Sequence, residues 1–259
     1  MGMTGRPPLP TVTVAQDGSG DYNGTTEKPI QDALDSLSAT GGWVHIKPGT
    51  YNISSTITVP AYTKLTGTLN TNLKLTEDAN VNLLEDSGNF IEIEGLFFNS
   101  FPQSSSSDLL HLTHNYHTIT RCYFGDSHDF AIYLDGSAYR ITNNYITSTI
   151  DGGGIKGYTL TDSVISSLIL YTHDANGIFL EDSHRCFLTN ANLTIGTLNL
   201  DNVDKSLFSN LNIAGAFSSA IDEDSNCSDN IFMGCIGSSA VTVFNMNGSD
   251  SIYLALKEV

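Results

Sequence analysis

At 259 residues, with 40% hydrophobic and only 15% charged side chains, the chain is globular rather than disordered and long enough for a sizeable core. A formal charge of −17 argues against DNA or RNA as partners, since phosphates need Lys and Arg to neutralise them, and against an anionic membrane surface. No apolar run reaches membrane-span length, so no membrane partner is expected.

In chain order, residues 1–10 read as a flexible segment without the apolar core of a signal peptide. Residues 11–40 read as a strand followed by a capping helix. Within it Ile30, Ala33, Leu34 and Leu37 share one helical face, and Pro29 stands near the start, where a missing amide costs nothing. Residues 41–259 read as one repeating unit, making 11–259 a single domain.

The repeat is the strongest signal. Its phrase is apolar, any, apolar, then a polar stretch, then a further apolar residue nine positions after the first. Leu110 and Leu112 lead to Ile119, Ile132 and Leu134 to Ile141, Ile155 to Val164, Ile178 and Leu180 to Phe187, and Leu198 and Leu200 to Leu207. A looser copy near Asp222 leads to Ile231, and Val243 leads to Ile252. The step of 20 to 24 residues falls among solenoid periods. Strands of three to five residues between Gly, Asn, Asp and Ser cannot bury an apolar face alone, and stacking coil on coil solves this. Leucine-rich repeats lack support because their phrase is absent. The expected fold is all-β, a single-stranded right-handed parallel β-helix with a short N-terminal capping helix.

Twelve positions after each phrase start stand Cys122, Asn144, Ser167, Asn190, Asn210 and Gly234, small or amide residues suited to a coil-to-coil ladder. The four cysteines, Cys122, Cys186, Cys227 and Cys235, show no metal-ligand spacing and read as buried thiols.

The segment Gly41-Gly42-Trp43-Val44-His45-Ile46-Lys47-Pro48-Gly49-Thr50-Tyr51-Asn52-Ile53, continuing to Val59-Pro60 and Leu65-Thr66-Gly67, resembles the opening coil of pectate-lyase-like β-helices. That group includes phage tailspikes and many polysaccharide lyases and hydrolases, so the resemblance implies a carbohydrate chain as partner and an extracellular, cell-surface or virion setting. Asp17-Gly18-Ser19-Gly20-Asp21-Tyr22 resembles the opening of pectin methylesterases, without that family's downstream motifs. The Trp-Ile-Asp-His phrase of calcium-dependent pectate lyases and the Asn-Thr-Asp and Gly-His-Gly phrases of polygalacturonases are absent. No catalytic residue carries over.

The site is therefore argued from columns of equal phase. The outward position of the first strand reads His111, Tyr133, Lys156, Phe179, Asn199, where rings can lie against sugar faces or pack against a loop or subunit. A turn column holds His128, Asp151 and Asp174, with His173 adjacent, and beyond the strand lie Asp135, Glu181 and Asp201. Two carboxylates serve glycosidic hydrolysis, which assigns Asp151 and Asp174 as a catalytic pair, although turn chemistry alone also places Asp there. Elimination would instead call on His128, His173 or Lys156 as base, with Arg140 or Arg185 holding an acidic sugar. His111, Asp135, Glu181 and Arg140 join Tyr133, Phe179 and Lys156 as expected substrate contacts. No cofactor is required; calcium held by stacked Asp would fit. The histidines His111, His114 and His117 do not read as a metal site. The expectation is a polysaccharide-degrading enzyme, hydrolase or tailspike-like depolymerase ahead of lyase. Its alternative is a non-catalytic glycan-binding or structural module, and a homotrimer is an expected assembly for the viral version.

Overall fold

The computed structural model describes residues 9–77, 79–100, 107–148, 153–172, 176–216, 219–239 and 242–258. Among them one helix, Glu27–Leu37, precedes a solenoid in which every strand pairing is parallel. The hydroxyl of Thr26 accepts the Lys28 amide at the helix start, and Pro29, Ile30, Ala33, Leu34 and Leu37 are buried against the first coils. The apolar face predicted for this helix is the one that packs.

Each coil presents one strand to a front sheet and continues into a second sheet that wraps the flank and the back. The front sheet has nine strands, from Ile57–Val59 to Thr242–Met246. Its register links Leu110, Ile132, Ile155, Ile178 and Leu198, the phrase starts read from the sequence, in one inward row that continues to Ile221, one residue before the looser copy read near Asp222. The next partner of Ile221 is Phe244, not Val243, so the last phrase begins one residue later than its pattern suggests. Because side chains alternate along a strand, that single step decides which residue reaches the core, and Phe244 packs against it.

The flank sheet carries the larger correction. In the coils beginning at Leu110 and Ile132, the ninth residue on, Ile119 and Ile141, is buried as expected. In the next coils the inward residue comes one place later, at Ile165, Leu188, Phe208 and Phe232. The turn from front to flank has grown by one residue: seven positions separate Leu134 from Ile141, and eight separate Leu180 from Leu188. Val164, Phe187, Leu207, Ile231 and Ile252 consequently point outward on successive coils. Phe187 is 43% exposed while Leu188 beside it is 1% exposed.

The ladder column is similarly split. Ser167, Asn190, Asn210 and Gly234 occupy left-handed turn positions, and the Asn210 amide donates to Asn190 at 3.2 Å. Cys122 and Asn144 sit one residue further on and are buried; Arg121 and Asn143 take the left-handed places. Asn144 accepts the Cys122 amide and donates to the Ile119 carbonyl, both at 2.9 Å, satisfying two backbone groups of the preceding coil. All four cysteines are free and buried, and burial pushes the Cys122 and Cys186 thiols up to about 12. No helix among the described residues is long and apolar enough to cross a membrane.

Candidate functional site

Register carries the outward column of the front sheet through eight coils: Glu85, His111, Tyr133, Lys156, Phe179, Asn199, Asp222 and Asn245. One strand pitch of about 4.8 Å separates neighbours, so the column is a continuous strip of surface chemistry.

Its upper part is a chain of paired groups. The buried Asp108 carboxylate accepts the Phe130 amide at 3.0 Å and holds His111 Nδ1 at 2.8 Å. That hydrogen bond, with the charge behind it, raises the pKa of His111. The His111 ring stacks on Tyr133 at 4.3 Å with planes 5° apart. Lys156 lies 5.4 Å over the Phe179 ring and 3.4 Å from Glu181. The rings of the predicted sugar-stacking column are therefore present, each with a neighbour on one side. Asp129 beside this group has its pKa raised by burial and by Asp108.

The lower part opens into a cleft of about 360 Å³ lined by Phe179, Asn199, Asp201, Asp222, Asp224 and Asn245, among others. Asp201 continues the row of Glu181. Asp222 belongs to the neighbouring coil, one coil and two residues away on the same face. Asn245 donates to Asp222 at 2.6 Å and accepts from Asn247 at 3.0 Å, fixing the Asp222 carboxylate. Burial and the nearby Asp224 and Glu181 charges raise the pKa of Asp201. Beneath them Glu223 is fully buried and accepts from Tyr253 at 2.5 Å, Ser251 at 2.8 Å and Asn230 at 3.1 Å. This inward network pins the strand Ser219–Glu223, whose outward residue is Asp222.

Of the residues singled out from sequence, Tyr133, Lys156, Phe179, His111, Asp135 and Glu181 all belong to the front strands. Asp135 accepts the Thr159 hydroxyl. His128 is half-buried in the turn before the strand Phe130–Ser137. Asp151, His173 and Asp174 lie outside the described residues. Arg140 stands on the flank sheet, paired with Thr118 and Val164, where its coil has already turned away from the front. Arg185 is bound by Asp162 at 2.6 and 2.7 Å.

Asp108, Asp222, Asp224 and Asn245 were not anticipated as site residues. The signal for two of them was available, since a step of 23 residues from Asn199 gives Asp222 and a second gives Asn245. Asp108 offered none, because its role depends on reaching His111 from within the turn. Likewise His117 is buried with Nε2 2.7 Å from Asp86, and its Nδ1 accepts the Ile91 amide at 3.1 Å, a structural use of the ring.

No protein-family profile and no curated protein matches the chain. Solved structures do. A polygalacturonase from Erwinia carotovora superposes with a TM-score of 0.77 at 10% identity, covering 97% of this chain and 94% of that one. A DFA-IIIase from Arthrobacter chlorophenolicus, in complex with GF2, gives a TM-score of 0.74 at 12% identity over 88% of this chain and 67% of its own. The enzymatically active domain of tailspike protein 2 from bacteriophage CBA120 gives 0.69 at 11% identity, over 89% of this chain and 40% of its own. The repeat, the parallel register and these superpositions agree: the chain has the right-handed parallel β-helix fold of the pectate-lyase-like proteins.

Proposed function

We propose that this chain is a polysaccharide-cutting glycoside hydrolase working in the front-sheet cleft. The observation that carries the reading is Asp201, its pKa raised, on the same cleft wall as Asp222 oriented by Asn245. Diagonal neighbours on adjacent strands have Cα atoms about 7–8 Å apart. With both side chains leaving the same face, a carboxyl spacing of that order is compatible with the span of about 6.5–9.5 Å between carboxyl groups that leaves room for a water between an acid and a base. In this reading Asp201 holds a proton and gives it to the glycosidic oxygen as the C–O bond breaks. Asp222 takes a proton from the water that adds to the anomeric carbon. Burial first, and then the charge of Asp224, raise the pKa of Asp201, the direction that suits a proton donor, and Phe179 offers a ring to the sugar next to the cleaved bond. The polygalacturonase and DFA-IIIase neighbours support a carbohydrate substrate; the acidity of the cleft favours a neutral one. No cofactor takes part, and turnover should survive a calcium chelator.

Asp201→Asn and Asp222→Asn should each lower turnover by about 10²–10⁴-fold while the protein stays folded. The assay is the release of reducing ends from a panel of neutral and acidic polysaccharides. Full activity in both variants sinks the assignment, and new absorbance from unsaturated uronides would move the reading to elimination with His111 as base.

A second reading, a non-catalytic glycan-binding or structural module, is favoured by the engagement of Tyr133 with His111 and of Phe179 with Lys156. Tight binding without new reducing ends would select it. In either reading the outward apolar row from Val164 to Ile252 supports self-association, with a homotrimer as the proposed assembly and a virion, cell-surface or extracellular setting. The row and its neighbours Ser166, Thr189, Ser209, Met233 and Leu254 carry no charge in a chain of −17, so identical copies can meet there without like-charge repulsion. Light scattering should find an oligomer that Phe187→Asp with Ile231→Asp dissociates.

A further inference from the structure

Away from the front cleft, near the capped end, four aromatic rings stand in solvent. Tyr62, Phe90 and Tyr116 occupy the same turn on successive coils, all at left-handed φ of 59° to 65°. Their rings stack at 5.3 Å and 4.7 Å with planes 11° and 6° apart. Trp43, the only tryptophan of the chain, lies on the adjoining flank strand and is 49% exposed.

The fold does not ask for these rings. Later coils fill the same turn with Ala138, Asp162, Arg185, Lys205 and Asp229, also left-handed. Coil-to-coil aromatic stacking is already supplied inside by Phe98 on Phe124 and Phe208 on Phe232. Bulky residues at positive φ are strained, and leaving them exposed forgoes most of the burial that would offset that strain.

What the rings build is a cleft of about 210 Å³, walled by Trp43, Tyr62, Phe90 and Leu9 and floored by Lys64 and Glu92. Gly41 keeps the Tyr62 end of the ladder uncovered: a Cβ there would lie 2.5 Å from the Tyr62 carbonyl and 2.7 Å from its Cβ. The floor is balanced in charge. Lys64 Nζ lies 2.6 Å from Glu92 and 2.7 Å from Glu94, and Arg121 pairs with Glu94 as well, so two cations meet two anions. Lys64 also sits 5.4 Å over the Trp43 ring.

An apolar wall facing a neutral floor of donors and acceptors is complementary to a sugar ring, which presents C–H groups on one side and hydroxyls around its edge. From this we infer that the Trp43–Tyr62–Phe90 cleft is a second glycan-binding site, taking a neutral sugar residue and performing no chemistry. It rests on the carbohydrate reading of the front sheet, to which it adds a separate anchor for the same polymer. The cleft is too small to seat a second copy of the chain, whose uncharged surface lies on later coils.

Because Trp43 is the sole tryptophan, its emission reports this cleft and nothing else. The experiment titrates neutral β-linked gluco-, xylo- and manno-oligosaccharides into the Asp201→Asn, Asp222→Asn double variant, which should bind without cutting. A saturable blue shift is expected, and Tyr62→Ala should weaken it by about tenfold. Trp43→Ala, at an exposed position, should leave melting unchanged and reduce retention in affinity electrophoresis on the same polymers. In the wild-type background Trp43→Ala should slow cutting of polymer but not of short oligosaccharides. Emission unmoved by a polysaccharide that the protein binds or cuts, with retention unchanged in Trp43→Ala, overturns the second site alone. Wild-type protein that neither retains nor cuts any member of the panel overturns both this site and the hydrolase reading.

Discussion

The early and late coils of this solenoid use the same outward place on the flank sheet in opposite ways. In register, the early coils fill it with Trp43, Lys64, Glu92, Thr118 and Arg140, and the late coils with Val164, Phe187, Leu207, Ile231 and Ile252. The inward neighbours do not change character: Leu65, Ile93, Ile119 and Ile141 give way to Ile165, Leu188, Phe208 and Phe232, all buried. The fold therefore constrains only the inward side chain. The outward one is free to carry a different task in each half, a charged and aromatic surface first and an uncharged apolar one later.

The sharpest way to break this comparison is a pair of adjacent substitutions. Leu188→Ala should cost about 2–5 kcal/mol in unfolding, because it opens a cavity in a packed row. Phe187→Ser, its neighbour in sequence, should change monomer stability by less than about 0.5–1 kcal/mol and act on self-association instead. Equal costs in chemical denaturation would mean that the two halves do not differ as described.

A second contrast is in acid. In the early coils Asp86 is buried, which works to raise its pKa, yet His117 and the Thr113 and His114 amides hydrogen-bond it and hold it at about 2. A depressed carboxylate contributes stability that is fully present above pH 4 and lost as the pH falls towards about 2. The expected loss is about 2 kcal/mol, read as unfolding free energy against pH, and Asp86→Asn should flatten that stretch of the curve. The smallest effect concerns the ladder: Gly234→Ala places a side chain at φ 64° and should cost about 1 kcal/mol.

How much of this was legible in the sequence follows from the same geometry. Inward rows were readable because Leu110, Ile132, Ile155, Ile178 and Leu198 repeat with a step the eye can follow, and the core requires apolar residues there. The flank row misled from Val164 onward because two adjacent residues are apolar in every late coil, Phe187 with Leu188 and Ile231 with Phe232 among them. Periodicity cannot choose between two neighbours that both qualify; only the length of the preceding turn can. The front column was correct from His111 to Asn199 and stopped one coil before Asp222, where the phrase loosens. That Arg140 lies on the flank sheet was not readable, because nothing in its spacing reveals where a coil bends. The hydrogen bonds that join Asp108 to Phe130, and Glu223 to Ser251 and Tyr253, cross from coil to coil and have no local signature.

The four cysteines have a practical consequence. Thiolates, not thiols, react with maleimides and with oxidants, and the thiols of Cys122, Cys186, Cys227 and Cys235 are buried with their pKa values raised. A single cysteine introduced at an exposed place such as Asn202 would thus be the one reactive sulfur on a rigid rod. The native protein is already prepared for site-selective dyes, spin labels and surface attachment, without removing any of its own cysteines.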